Sequence, residues 1–214
     1  MILLKYIVIC FILVVSPGPN TFLIFSTASY LGKRESLLKI LGLVVATYIH
    51  GLLSLFGISL ILLKSYNLFM MIKVFGALYL FYLGIKFIVQ GIKIKNKQVL
   101  QLSNVKKTNN LHSFKEGFLT QILNPKVSMF YIAAFPQFIH FSQGQYHLQG
   151  IVLITIHALM ITSWFILMTI FIKKFTIILN NQKYSKILMY VSGSCLIYFS
   201  ILLYLQPIPE FSHF

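Results

Sequence analysis

Two short stretches of this 214-residue chain set helix breakers and polar groups inside otherwise apolar runs: Ser16-Pro17-Gly18-Pro19-Asn20 and Asn124-Pro125-Lys126. Proline lacks the donor a helix needs, and its ring clashes with the turn before it, so both helices must kink or unwind there. Ser16-Pro17 and Asn124-Pro125 each read as an N-cap followed by proline at the first helical position, which starts a second half-helix. The start of a half-helix presents free N–H groups and a partial positive charge, chemistry suited to a carboxylate or another anion. Lys126 adds a full charge beside the second break. A charge so deep in an apolar segment costs about 2.5–3.5 kcal/mol, so it lines a cavity or finds a partner, unless its stem lets it snorkel to an interface.

Three further polar residues fall inside apolar runs. His50 and His157 carry a proton near neutral pH in some settings, and in others are neutral and hydrogen-bonded to a neighbouring helix; both readings stay open. Gln121, one turn before Asn124, binds a substrate or joins two helices. No acid or thiolate stands at metal-ligand spacing from either histidine, so no metal and no cofactor are expected. Cys10 and Cys195 lie in apolar runs and read as small core residues.

The elements that carry these residues follow from composition. The chain is 58% hydrophobic and only 10% charged, whereas a soluble domain of this size needs about 25% charged residues to wet its surface. A bilayer resolves that mismatch by acting as the apolar solvent. A spanning helix needs about 20 apolar residues. Six stretches qualify, at roughly 6–30, 40–63, 68–91, 115–139, 149–172 and 186–206. Backbone groups cannot go unpaired in lipid, and the alternation of a membrane barrel is absent, so the expected class is all-α with six spans. The first run resumes after Pro19 and reads as a retained span, not a cleaved leader.

The 18 Lys and Arg residues, against three acids, give a net charge of +15. Only Arg34 among them is an arginine, so nucleic-acid readout is not expected. The charges fall mainly in three connections: Lys33, Arg34 and Lys39; Lys86 through Lys115; and Lys173, Lys174, Lys183 and Lys186. Lys5, Lys64 and Lys73 stand on the other side. By the positive-inside rule the odd-numbered loops are cytoplasmic and both termini lie outside.

A polar, basic loop at about 92–114 divides a single transport domain into half-repeats, about 1–91 and 115–214. Three spans per half is odd, so related halves insert with opposite topology. Pro17 and Pro125 stand 108 positions apart and His50 and His157 stand 107 apart, while Val74-Phe75-Gly76 and Val191-Ser192-Gly193 make a weaker echo at 117. Gly42, Gly51, Gly76, Gly84 and Gly193 are expected at close helix crossings.

At the two breaks the chain resembles the LysE/RhtB family of amino-acid exporters. The resemblance extends to Gly117, to Phe135-Pro136-Gln137-Phe138 at the end of the fourth span, and to the long basic loop. It implies proton-driven export of amino acids or related metabolites from a bacterial inner membrane. Members of the family often carry an Asp shortly before the histidine at the position of His50. Here that position holds Thr47, and no acid lies inside any span, which leaves His50, His157 and Lys126 as candidates for proton coupling.

The expected site therefore comprises Ser16, Pro17, Gly18, Pro19, Asn20, Thr47, His50, Gln121, Asn124, Pro125, Lys126 and His157. A substrate carboxylate would sit between the two half-helix starts with Lys126 nearby. The expected partners are the lipid bilayer, a small amino-acid-like substrate and protons, with a homo-oligomer left open. The rival readings are a membrane scaffold or inactive homologue and, further off, a small membrane enzyme, which usually needs acidic metal ligands or a nucleophile–base pair.

Overall fold

The computed structural model describes residues 2–64, 66–93, 109–139 and 145–205. Those residues form helices α1 (Ile2–Val15), α2 (Pro19–Tyr30), α3 (Lys33–Lys64), α4 (Tyr66–Lys93), α5 (Asn110–Ile122) and α6 (Pro125–Met129). A π-helical turn (Phe130–Ala134) and a 3-10 turn (Phe135–Phe138) follow, then α7 (Tyr146–Ile170), α8 (Ile172–Asn180) and α9 (Gln182–Leu205). There is no strand among the described residues.

Four helical stretches are long and apolar enough to cross a bilayer: Lys33–Gly57, Lys73–Lys93, Tyr146–Ile170 and Gln182–Leu205. The pair Leu3–Val15 and Pro19–Tyr30 makes a fifth span bent by 53°. At 1.5 Å per residue, a 25-residue helix reaches about 38 Å, enough to cross a hydrocarbon core. Large apolar side chains such as Leu53, Phe75, Leu78, Leu159 and Val191 lie exposed on these helices. Water would not tolerate so much apolar surface, whereas lipid does. The chain is a multi-pass, all-α membrane protein.

The segment expected as one span at 115–139 is four short pieces. Pro125 ends α5, and Pro136 sits in the closing 3-10 turn. Its first helix begins earlier than expected, at Asn110, because the Asn109 side chain accepts the His112 N–H and caps it. Both ends of the loop expected at about 92–114 are therefore helical, in α4 up to Lys93 and in α5 from Asn110; Lys95, Lys97, Lys106 and Lys107 lie outside the described residues, as does the tail from 206. The loop expected between the last two spans contains α8.

The corner before α3 turns on Gly32, whose φ of 96° lies in the left-handed region that favours glycine. Its N–H and that of Leu31 both return to the Thr27 carbonyl and close α2. Helix α3 then starts at Lys33, so Lys39 belongs to a helix and not to a loop. Its side chain is buried and pairs with Glu116 of α5 at 2.5 Å.

Glycines set the helix crossings. A Cβ on Gly42 would meet the Phe118 amide of α5 at 2.5 Å, and one on Gly117 would overlap the Lys39 carbonyl, so α3 and α5 touch backbone to backbone. Between α3 and α7, Ile154 fills the space at Gly51, and Leu55 fills that at Gly150. Gly193 of α9 packs on Gly84 of α4, 109 positions away. Buried aromatic residues Tyr6, Phe130, Tyr131, Phe135 and Phe138 anchor the larger core cluster, and the Tyr6 hydroxyl donates to the Leu153 carbonyl at 2.9 Å.

Candidate functional site

The two breaks meet. Asn20 Nδ2 donates to Gln121 Oε1 at 2.5 Å, and Asn124 Nδ2 reaches Asn20 Oδ1 at 3.4 Å. Gln121 Nε2 in turn donates to Thr47 Oγ1 at 2.7 Å, whose hydroxyl donates to the Leu43 carbonyl at 2.8 Å. Thr47, Gln121 and Asn124 are buried and Asn20 half-buried. A satisfied network of this kind holds each amide in one orientation. Helices α2, α3 and α5 are thus tied together where the chain is broken.

The second break starts a helix as expected. The Asn124 side chain accepts the Lys126 N–H at 3.1 Å, with Pro125 at the first helical position. The first break differs. Helix α2 begins two residues later, at Pro19, and Gly18 occupies its cap position. Ser16 instead closes α1: its N–H bonds the Ile12 carbonyl, and its hydroxyl donates to the Leu13 carbonyl at 3.0 Å. The reason is the second proline: Pro19 has no N–H to give a cap at Ser16, and it takes the first helical position itself.

Lys126 is buried, and its ammonium points to the end of α1, away from open space. Nζ donates to the Leu13 carbonyl at 2.8 Å, to Ser16 Oγ at 2.8 Å and to the Ser16 carbonyl at 3.3 Å. A cation at a helix C-terminus is favoured by the carbonyl dipoles gathered there. Gly18 leaves the room: a Cβ at that position would sit 3.3 Å from Nζ.

Leu13 is the residue four before Pro17, so its carbonyl is the acceptor that the proline leaves without its helical donor. Gln121 stands four before Pro125, and His50 Nε2 lies 3.3 Å from its carbonyl, which the Asn124 N–H also reaches at 3.1 Å. Each freed carbonyl is therefore met by a nitrogen of a titratable side chain from elsewhere in the fold.

His157 lies outside this first network and is linked to it through Tyr131. The Tyr131 hydroxyl and His157 Nδ1 are 2.9 Å apart, while the Tyr131 ring stacks on His50 with centroids 6.0 Å apart and planes 6° apart. Ser54 donates to the Tyr131 carbonyl within the π-helical turn. Tyr131 and Ser54 were not among the expected residues, since a tyrosine and a serine inside apolar runs carry no distinguishing spacing. Among the described residues no group of three His, Cys, Asp or Glu side chains is placed to hold a metal.

Comparison with known proteins agrees with this architecture. Residues 11–206 match the family model described as LysE type translocator. The chain is 32% identical over 203 residues to the uncharacterized membrane protein YrhP of Bacillus subtilis, covering 93% of this chain and 96% of that one. It is 27% identical over 179 residues to the threonine efflux protein of Salmonella typhi, covering 83% and 84%. It is 28% identical over 137 residues to the leucine efflux protein of an Enterobacter strain, covering 64% and 63%. No solved structure matches. The chain belongs to the LysE type translocator family.

Proposed function

We propose that this protein exports amino acids, or metabolites that share their ammonium and carboxylate groups, across the bacterial cytoplasmic membrane in exchange for protons. The observation that carries the reading is the meeting of the two proline breaks through Asn20, Gln121 and Asn124. Paired interrupted helices near mid-membrane are how secondary transporters assemble a polar site inside lipid. The relatives named for threonine and leucine efflux support the substrate class.

The halves 1–91 and 115–214 act as an inverted repeat. What supports this is that Pro17 and Pro125 stand 108 apart and that the carbonyls four residues before them, of Leu13 and Gln121, each lie beside a side-chain nitrogen, of Lys126 and His50. The substrate carboxylate is read by the N–H groups at the start of α2, helped by Asn20, where the helix dipole favours negative charge. Alternating access moves one half against the other around this point. The basic connections face the cytoplasm and both termini face outward.

Efflux from cells loaded with dipeptides tests the reading. Cells making the wild-type chain should release at least one amino acid several-fold faster than cells with empty vector, and Asn124→Ala should abolish the gain at equal membrane abundance. Equal release of every amino acid with and without the protein would remove amino-acid export.

A further inference from the structure

The three oxygens that surround the Lys126 nitrogen suit an ammonium. An ammonium has three N–H donors and no acceptor, whereas the neutral amine has two donors and a lone pair. Leu13 and Ser16 offer two carbonyl oxygens, and the Ser16 hydroxyl has its own proton committed to Leu13, so its oxygen faces Nζ as an acceptor. All three partners accept. An R–NH3⁺ group fits this arrangement, and the neutral amine fits it when the Ser16 hydroxyl turns its proton to the nitrogen; the site is a cradle for a primary ammonium built from the end of α1.

An amino acid carries the same group. Resting on the exporter reading, we infer that the α-ammonium of the substrate and the ammonium of Lys126 compete for the Leu13 and Ser16 acceptors, and that this competition is the coupling between substrate and proton. When Lys126 loses its proton to water on the open side of the membrane, the amine gives up its hold on α1 and a substrate ammonium takes its place. The substrate carboxylate then lies toward the start of α2. When Lys126 regains a proton from water on the other side, it expels the substrate. One proton exchanges for one substrate, with no carboxylate in the cycle.

The surroundings suit this role. Of the two acids among the described residues, Glu35 lies in the first turn of α3 and Glu116 pairs with Lys39 and, at longer range, with His112. Titratable side chains on the elements around α6 include Lys5, Tyr6 and Cys10 of α1, Lys73, Tyr79, Tyr82, Lys86 and Lys93 of α4, His112, Lys115 and Glu116 of α5, Tyr131 of the π-helical turn, and His50 and His157 beyond it. The one acid among these, Glu116, is engaged by Lys39. The Thr47 hydroxyl is tied to Leu43 and Gln121 and offers no charge either.

The test uses the purified full chain in proteoliposomes, with labelled L-threonine and L-leucine as probes. Wild type should bind one probe with an affinity that weakens about tenfold per pH unit on acidification below the range in which Lys126 is neutral, the slope for one proton displaced per substrate. A pH gradient should drive uphill accumulation. Lys126→Gln, whatever its rate of exchange, should lose the pH dependence of binding and lose gradient-driven accumulation. Lys126→Arg, which keeps the charge permanently, should fold and bind at least tenfold more weakly than wild type at alkaline pH. Gradient-driven accumulation by Lys126→Gln at the wild-type level would overturn the inference and leave the exporter reading standing, as would binding by Lys126→Arg equal to wild type. Absence of exchange by wild type for every amino acid would overturn the exporter reading and this inference together.

Discussion

Gly84 of α4 and Gly193 of α9 lie against each other so closely that a Cβ on either would come within 2.8 Å of the other's carbonyl oxygen. In lipid, helices gain little from burying apolar surface against each other, so close packing of this kind holds them together. The same crossing continues at Gly91, where Tyr190 and Met189 fill the space.

Gly84→Leu should therefore separate α4 from α9, because the atoms it meets include backbone that cannot turn aside. Even Gly84→Ala should cost about 1–3 kcal/mol. Thermal unfolding in detergent, followed by loss of the monodisperse peak, reads this directly, with Gly57→Ala as a control where no atom lies within 4 Å.

Lys39 and Glu116 predict an asymmetry. Lys39 is 1% exposed and Glu116 38% exposed. Removing the acid strands a buried charge, whereas removing the lysine leaves the acid in contact with solvent. Glu116→Ala should destabilise by roughly 3 kcal/mol, and Lys39→Met by clearly less. The double variant should recover part of the loss. Equal losses from both single variants would show that Lys39 finds other partners.

The amide of Gln121 serves Asn20 with its oxygen and Thr47 with its nitrogen. Gln121→Glu keeps the acceptor for Asn20 and loses the donor to Thr47, whereas Gln121→Leu loses both and strands buried polar groups at about 1–3 kcal/mol each. Export rates should fall in the order wild type, Gln121→Glu, Gln121→Leu. Comparison of efflux at matched membrane abundance checks that order.

Tyr131→Phe removes the hydroxyl facing His157 Nδ1 and leaves that buried nitrogen unpaired, at about 1–3 kcal/mol. The ring stacking on His50 survives the substitution. Stability should drop while His50 keeps its place at the Gln121 carbonyl; a loss of export larger than the loss of folded protein would give His157 a direct part in transport.

Much of this was legible in the chain. Proline at 17 and 125 dictates a break whatever the surroundings, and 58% hydrophobic residues dictate a bilayer. What local pattern could not show was partnership across long separations. Lys126 reaches a carbonyl 113 positions away, and Asn20 reaches an amide 101 positions away. Spacing placed Lys126 beside an anion site, but the structure turns it toward the carbonyls of α1. Ser16 read as a cap for the helix after it and instead closes the helix before it, because two prolines in three residues shift the start of α2 to Pro19. Lys39 read as a loop charge and is buried, because Gly42 and Gly117 draw α3 and α5 together and bring Glu116 over it.

The most direct test of the joined breaks as the export site is counterflow of labelled threonine and leucine into proteoliposomes preloaded with the unlabelled amino acid, comparing wild type with Asn20→Ala. Wild type should exchange label well above protein-free vesicles, and Asn20→Ala, still monodisperse, should exchange at least tenfold more slowly. Wild-type exchange with an unimpaired Asn20→Ala variant would contradict the site, and no exchange of any amino acid by wild type would contradict the transport itself.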